Sequence, residues 1–244
     1  MNIKGLASYC QECGACATEG TCRDSDDSLV DRIVDEVLKT LGKGETSETG
    51  PAQPPIPLGV SNRHMHIRED TFLHLFGTET KLDVYRELYQ SGEFASNQTV
   101  TIVGPKMRAI QNVRILGPLR RYDQVELSLT DAIGIGISPP IRNSGDLAGA
   151  SPLTVVGPAG SVFIPECAII ANRHMHIASS HARAFGVRDG DRVKVRIGGE
   201  KGTVFENVLV RVNDGWKLQL HLDTDDANAA NVRCTVNAAF AGKM

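Results

Sequence analysis

Two copies of one heptapeptide, SNRHMHI (61–67) and ANRHMHI (171–177), stand 110 residues apart and share six of their seven residues. Together they hold four of the seven histidines in a chain of 244 residues. Side chains two residues apart in a β-strand point to the same side, so the histidines of each copy share one face. The methionine and the isoleucine then point to the opposite face. Each copy therefore predicts a short strand with an apolar core face and a two-histidine outer face.

The repetition extends well beyond the heptapeptide. The segment QNVRIL (111–116) matches ENVLVR (206–211), and QVELSLTDA (124–132) matches QLHLDTDDA (219–227), both at an offset of 95 residues. The body of the chain is therefore predicted to be a tandem duplication. Each half carries a histidine strand, a helix and later strands.

Short β-type runs separated by Gly-Pro, Asn-Asp-Gly and Gly-Gly turns fill both halves of the duplication. Two short helices are predicted directly after the histidine strands, at REDTFLHLFG (68–77) and SSHARAFG (179–186). This spacing favours small barrels over a sheet of alternating strands and helices. We predict a mainly β fold of two tandem-duplicated small β-barrel domains with short helices, at residues 58–150 and 151–244.

Two imidazoles on one strand face suit zinc, which takes nitrogen, sulfur and carboxylate ligands and keeps an open position in catalytic sites. The repeat supplies a third ligand for each pair, because Glu126 in QVEL aligns with His221 in QLHL. Both residues stand between apolar neighbours on a late strand, so they point away from the face that those neighbours occupy. The sequence predicts two zinc sites, the first formed by His64, His66 and Glu126 and the second by His174, His176 and His221.

The remaining histidines of the body and a nearby acidic run have plainer interpretations. His74 and His181 fall on the predicted helices, outside the histidine strands, and are expected to be surface residues. Asp223, Asp225 and Asp226 are expected to form a capped turn rather than a metal site.

Residues 1–27 form a cysteine-rich segment with the spacing C-x2-C-x2-C-x5-C, and the four cysteines are Cys10, Cys13, Cys16 and Cys22. Soft thiolate ligands at this density suit an iron–sulfur cluster or zinc. The last spacing departs from the common ferredoxin run, so reduced thiols in a flexible tail are the alternative.

Residues 28–42 carry apolar side chains at helical spacing on one face and charged side chains on the rest. Ser28 and Asp31 resemble a capping box, and Gly42 marks the predicted end of the helix. A linker rich in Gly, Pro, Ser, Thr and Glu occupies residues 43–57. We predict a separable amphipathic helix on a tether, and a helix docked on the body of its own chain is the alternative.

The overall composition narrows the classes of partner. The formal net charge is -3, and no run of Lys or Arg suggests nucleic acid or a membrane surface. No apolar stretch approaches the roughly 18 residues of a transmembrane helix, and the start of the chain lacks the apolar region of a secretory signal. We therefore expect a soluble cytoplasmic protein with neither a nucleic acid nor a membrane partner, whose cysteines are thiols or metal ligands.

Ordered motifs between about residues 55 and 240 resemble those of the PduL-type phosphotransacylases, also called phosphate propanoyltransferases. They are GVSNRHMHI, TVTIVGPK, VRILGPLR, QVELSLTDA, SGD, ANRHMHI, GDRV, NVLVRV and HLDTDDANAA. The resemblance implies two β-barrel domains, a dinuclear zinc site in the cleft between them, and transfer of a short acyl group, propanoyl or acetyl, between coenzyme A and phosphate. It assigns the two zinc ions to the same six residues that the repeat proposes.

The resemblance also implies substrate contacts. Arg120 in GPLR matches the arginine that binds phosphate in the family. The positions that contact coenzyme A match Ser61, Arg114, Leu116 and Asn228. Zinc activates a thioester carbonyl and accepts its leaving thiolate, while phosphate is already a nucleophile. Direct attack by phosphate is therefore expected, and an acyl intermediate on Cys167 or Cys234 is the weaker hypothesis.

Members of this family are often found in bacterial microcompartments, and the helix at 28–42 resembles their encapsulation peptides. The resemblance thus implies the lumen of a microcompartment for propanediol or ethanolamine-type catabolism, with shell or cargo proteins bound through residues 28–41 and a homo-oligomeric enzyme. Two functions from other classes are open on the residues alone: a dinuclear zinc hydrolase, and a non-catalytic scaffold that binds acyl-CoA or compartment shell.

Overall fold

The structure, a computed structural model, describes residues 53–233 and 236–244, which belong to one unit, Pro51–Met244. In these residues the chain forms fourteen strands and four short helices. The strands are β1 (Ile56–Ser61), β2 (His64–His66), β3 (Val84–Glu87), β4 (Phe94–Val103), β5 (Ala109–Gly117), β6 (Gln124–Glu126), β7 (Ile141–Arg142), β8 (Ser151–Val156), β9 (Ser161–Ala171), β10 (His174–Ile177), β11 (Arg192–Ile197), β12 (Thr203–Val212), β13 (Gln219–Asp223) and β14 (Asn237–Lys243). The helices are α1 (Glu69–Phe76), α2 (Leu129–Ile135), α3 (Ser179–Phe185) and α4 (Thr224–Ala229).

The strands close into two six-stranded barrels, which confirms the predicted fold class. The first barrel has the order β4-β5-β2-β6-β9-β8 and closes because β8 pairs with both β4 and β9. The second has the order β1-β13-β10-β12-β11-β14 and closes through the pairing of β1 with β14. Each barrel has its own apolar core, and α1 and α3 follow the histidine strands as predicted.

The strand that leads into each histidine motif lies in the other barrel. β1 precedes the first motif but pairs in parallel with β13 of the second barrel, and β9 precedes the second motif but pairs in parallel with β6 of the first. β8 and β9 therefore complete the first barrel although they lie beyond residue 150, where the sequence placed the domain boundary. The alternation of a strand identifies its buried face but not the sheet that it joins, so periodicity could not reveal this exchange.

The sequence repeat is also a repeat of backbone geometry. His64 pairs with Glu126 across β2 and β6, and His174 pairs with His221 across β10 and β13, both in antiparallel register. Asn112 and Asn207, which align in the repeat, share the same left-handed φ of 58°. Two histidine strands with equivalent neighbours thus stand on the walls of two barrels.

The arginine of each histidine motif ties its strand to the helix after the third-ligand strand. Arg63 donates to Asp131 on α2 at 3.1 Å, and Arg173 donates to Asp226 on α4 at 2.8 Å. Asp131 and Asp226 occupy equivalent positions in the repeat. The same ion pair therefore joins the histidine motif to the corresponding helix in both halves.

Candidate metal centre

The first predicted ligand set comes together on the outer wall of the first barrel. Nε2 of His64 lies 3.5 Å from Oε2 of Glu126, and Nε2 of His66 lies 4.0 Å from Oε1. The intervening Met65 packs in the barrel core and is 0% exposed. The period of two thus separates core from ligands as the sequence predicted.

The second predicted ligand set is equally compact. The rings of His174 and His221 stack with their centroids 4.8 Å apart, and the centroid of His176 lies 4.7 Å from that of His221. In both clusters the ligand-type atoms lie within 4.8 Å of one another. A small shift of side chains would bring three such donors to the distances of about 2.0–2.2 Å at which nitrogen and oxygen bind zinc.

Backbone carbonyls orient the first histidine of each motif. Nδ1 of His64 donates to the carbonyl of Asn62, and Nδ1 of His174 donates to the carbonyl of Asn172, each at 2.8 Å. A carbonyl can only accept, so Nδ1 must carry the proton and Nε2 keeps its lone pair. Metal-bound histidines usually have their second nitrogen fixed in this way.

Gln124 orients Glu126, and sequence reasoning missed this residue. Its amide nitrogen donates to Oε1 of Glu126 at 2.7 Å and to Ser144 at 2.9 Å, while its oxygen accepts from the backbone of Gly145 at 2.7 Å. The repeat held the signal, because Gln219 stands in the same position two residues before His221. Both glutamines are buried.

Burial lowers the pKa of four of the clustered histidines, which favours their neutral form: His66, His174, His176 and His221. Burial, and after it the charge of His64, lowers the pKa of His66 to about 3. Burial, and after it the charge of His174, lowers the pKa of His176 to about 3. Burial alone would raise the pKa of Glu126, but the adjacent histidines outweigh it and the pKa is lowered. These are the protonation states that a metal ion requires of its ligands.

Several ring nitrogens in the two clusters have no hydrogen-bond partner among the described residues. They are Nδ1 of His66, both nitrogens of His176 and Nε2 of His221. Buried polar atoms without partners are costly, and natural proteins usually satisfy them with a protein group, water or an ion. The donor types and these unpaired nitrogens fit a zinc ion at each cluster.

The two clusters face one pocket. It is lined by Ser61, Asn62, Glu126, Leu127, Ala171, Asn172, His174, His221, Leu222 and Asp223. Glu126 belongs to the first cluster, whereas His174 and His221 belong to the second. The duplicated ligand sets are therefore halves of one candidate centre.

Of the residues that the resemblance assigned to substrates, Ser61, Arg114 and Arg120 lie next to residues of this centre. Nη2 of Arg120 donates to Glu93 at 2.8 Å, and its backbone N–H donates to the carbonyl of Ile67, the residue after the ligand His66. Ser61 lines the pocket, and Arg114 stands beside His64 in register. Leu116 follows on β5, where it is partly buried. Asn228 is exposed on α4.

The two histidines set aside as ligands, His74 and His181, lie outside both clusters. His74 is exposed on α1, and its Nε2 lies 3.0 Å from the carbonyl of Ser161. His181 lies on α3 and is partly buried rather than fully on the surface as expected, and its Nδ1 has no hydrogen-bond partner among the described residues.

The acidic run forms the capped turn that the sequence predicted. Asp223 caps α4 by accepting from the backbone N–H of Asp226 at 2.9 Å. Asp225 accepts from the backbone of Thr130 at 2.8 Å.

Other predictions fall on residues that the structure does not describe. They concern Cys10, Cys13, Cys16, Cys22, the helix at 28–42, most of the linker at 43–57, and Cys234. In the described part of the chain, no helix is long and apolar enough to cross a membrane.

A family model for phosphate propanoyltransferase matches residues 57–233. The phosphate propanoyltransferase of Lachnoclostridium phytofermentans is 46% identical over 209 residues, which cover 86% of this chain and 96% of that relative. That of Thermotoga maritima is 46% identical over 179 residues, covering 73% of this chain and 85% of the relative. That of Rhodopseudomonas palustris is 40% identical over 212 residues, covering 84% and 93%.

The fold, the shared centre and these relatives define an enzyme of the acyltransferase class. More narrowly, the chain belongs to the phosphate propanoyltransferase family, as its motifs predicted. The matched region includes all six candidate ligands and Arg120.

Proposed function

We propose that the protein is a phosphotransacylase that converts a short-chain acyl-CoA, propanoyl-CoA or acetyl-CoA, and phosphate into acyl phosphate and free coenzyme A. A phosphate oxygen forms a bond to the thioester carbonyl carbon, the carbon–sulfur bond breaks, and coenzyme A leaves as a thiolate. The proposal rests on the pocket to which both barrels contribute ligand-type residues, Glu126 from one and His174 and His221 from the other.

Two zinc ions held by the clusters would supply electrophilic activation of the carbonyl and charge compensation for the thiolate. The first would be held by His64, His66 and Glu126, and the second by His174, His176 and His221. Gln124 and the carbonyls behind the histidines fix the donors in place, so that little reorganisation is needed when substrates bind.

Arg120 binds and orients the attacking phosphate. Its guanidinium is half-buried, and its backbone is anchored beside His66. Its buried Nε has no hydrogen-bond partner in the part of the chain that the structure describes. A guanidinium presents parallel N–H donors to two phosphate oxygens, which fixes the orientation of the nucleophile as well as its position.

Coenzyme A binds along the mouth of the same pocket. Ser61 lines the pocket itself. The guanidinium of Arg114 lies 4.6 Å from the ring centroid of Tyr85 and donates to the carbonyl of Ser96. Such an arginine suits the phosphate groups of the cofactor. Leu116 and Asn228 complete the proposed set of contacts.

Direct attack is favoured over an acyl-cysteine intermediate. Cys167 is 0% exposed, and burial raises the pKa of its thiol to about 12, so it is neither accessible nor nucleophilic at neutral pH. Phosphate needs no such relay because it already carries the attacking oxygen.

One assay separates this function from its two alternatives. Purified protein loaded with zinc is incubated with propanoyl-CoA or acetyl-CoA, with and without phosphate, and free thiol and acyl phosphate are both measured. A phosphotransacylase releases thiol only with phosphate and forms equal amounts of acyl phosphate. A hydrolase releases thiol without phosphate, and a scaffold binds acyl-CoA without turnover, so either result would refute the proposal.

The segments at residues 1–42 are proposed to serve targeting and metal binding rather than acyl transfer. The helix at 28–42 would direct a homo-oligomeric enzyme into a bacterial microcompartment by binding shell or cargo proteins. The cysteines at 10, 13, 16 and 22 would hold an iron–sulfur cluster or zinc. Iron and zinc analysis of a fragment containing residues 1–50 tests the second proposal, because reduced thiols alone would retain neither metal.

A further inference from the structure

The hairpin between β3 and β4 presents one side chain to each barrel. Its turn spans residues 88–93, where the backbone N–H of Leu88 donates to the carbonyl of Glu93 at 2.9 Å. β3 itself pairs only with β4 among the described strands, at the edge of the first barrel. The turn therefore has a defined conformation although its strand is otherwise exposed.

Gln90 fixes the tip of this turn to the second barrel. Its amide nitrogen donates to the carbonyl of Lys217 at 3.1 Å and to Oε1 of Gln219 at 3.1 Å, and its oxygen accepts from the backbone of Lys217 at 3.0 Å. Gln90 is 2% exposed. Gln219 pairs in register with the candidate ligand His176, so the turn is anchored next to the centre.

Glu93, three residues further on, forms an ion pair with the guanidinium of Arg120. Its Oε1 lies 2.8 Å from Nη2, and both side chains are about one-third exposed, at 36% and 30%. Nε of Arg120 is buried and has no hydrogen-bond partner among the described residues, so the carboxylate pairs with only part of the guanidinium.

A carboxylate at this position stands where an anionic substrate would have to bind. Arg120 attracts any anion from solution, and chloride or a simple carboxylate would block the site without reacting. Glu93 competes with all of them as a tethered anion. A phosphate dianion carries more charge and more acceptor oxygens than a monoanion, so it displaces the carboxylate more effectively.

We propose that Glu93 is an internal competitor that occupies Arg120 until phosphate displaces it, and that it thereby selects phosphate over singly charged anions. This inference rests on the proposed function, because it takes Arg120 as the phosphate ligand. Glu93 acts through Arg120, so it is a specificity-determining residue rather than a catalytic one.

The test removes the charge of Glu93 and keeps its shape. In Glu93→Gln we expect the KM for phosphate to fall by a factor of about two to five, which is the range of a partly exposed ion pair. Inhibition by chloride and acetate should strengthen by a similar factor, whereas the KM for acyl-CoA should stay the same. Glu87→Gln is the matched control, because Glu87 is exposed on the same hairpin and makes no ion pair with Arg120.

Two further measurements make the outcome unambiguous. Calorimetric titration of the zinc-loaded protein with inorganic phosphate alone should give tighter binding for Glu93→Gln than for the wild type. If that variant does not fold by circular dichroism, Glu93→Asp retracts the carboxylate by one methylene and should show a smaller change in the same direction.

An unchanged or raised KM for phosphate in a folded variant, or unchanged sensitivity to chloride, would overturn the role of Glu93 while the wild type still forms acyl phosphate. A wild type that turns over acyl-CoA without phosphate would instead refute the proposed function.

Discussion

One carboxylate distinguishes the two clusters, because Glu126 stands in the first where His221 stands in the second. Three neutral imidazoles leave both charges of a zinc ion uncompensated, whereas one carboxylate removes half of that charge. Aromatic neighbours differ too: Trp216 stacks on His176 with centroids 4.2 Å apart, while Tyr122 meets His66 edge-on at 6.5 Å. The halves have thus diverged at single residues while keeping the same backbone.

Each cluster should be needed for turnover. We expect His64→Ala, His174→Ala and His221→Ala each to abolish activity and to lose part of the bound metal, because removal of one of three donors weakens the site. Zinc per chain, measured by elemental analysis alongside activity, checks this. His74→Ala is the control, because His74 lies outside both clusters. Full activity with two bound metals in any of the three variants would contradict the assignment.

Arg120→Ala should raise the KM for phosphate far more than the KM for acyl-CoA. Loss of charge-assisted hydrogen bonds costs about 1.5–3 kcal/mol, which is about one to two orders of magnitude in affinity. Steady-state kinetics with each substrate varied in turn measure the effect. Arg121→Ala, at an exposed neighbouring position, should leave both constants unchanged. An unchanged phosphate dependence in Arg120→Ala would remove this residue from the site.

At the scale of elements, the sequence repeat predicted more of the candidate site than any single motif did. Aligning β6 with β13 nominated Glu126 and His221 as third ligands, because equivalent strands of a duplication keep equivalent faces. The exchange of β1 and β9 between barrels could not be predicted, because strand periodicity carries no information about the partner. Gln90 was missed for a similar reason: its contacts join positions 127 residues apart and have no counterpart in local pattern.

Gln124, two positions before the third ligand Glu126, is predicted to set metal affinity because it orients that carboxylate. Gln124→Met keeps the length of the side chain but leaves an oxygen of Glu126 and the backbone N–H of Gly145 without their partner. Loss of such a supporting contact typically costs about 10–100-fold in metal affinity. Competition with a fluorescent chelator measures it.

Gln98→Met is the matched control for this experiment, because its amide bonds to Lys81 and Asp83 instead. It should retain zinc like the wild type. Equal retention by Gln124→Met would mean that Glu126 does not depend on its neighbour for orientation.

At the scale of the whole molecule, the buried histidines are expected to make the metal-free protein less stable in acid. The pKa values of His66 and His176 are lowered from 6.5 to about 3, so the folded metal-free protein resists protons that the unfolded chain accepts below pH 6.5. Because the unfolded state then binds more protons, the free energy of unfolding must fall as the pH drops from 6.5 towards 3. Urea titrations of the metal-free protein at pH 7.5 and pH 5 check the sign, with Trp216 as the only tryptophan and hence the reporter. Equal stability at both values would contradict it.

The last prediction concerns the segment before the barrels. All six candidate ligands, Arg120 and the proposed coenzyme A contacts lie between residues 61 and 228, so deletion of residues 1–50 should leave turnover nearly intact. A fourteen-residue amphipathic helix at 28–41 is marginal alone in water, so its apolar stripe is expected to dock in a groove of shell or cargo protein. Fused to a fluorescent reporter, the segment should co-localise with compartment shells, and replacing Ile33, Val34 and Val37 with Asp should make it diffuse.

Replacing Arg32 and Lys39 with Asp changes the charge but keeps the stripe, so that fusion should still co-localise. A diffuse wild-type fusion in cells with intact shells would rule out targeting, and loss of catalysis on truncation would instead mean that the helix docks on its own barrels.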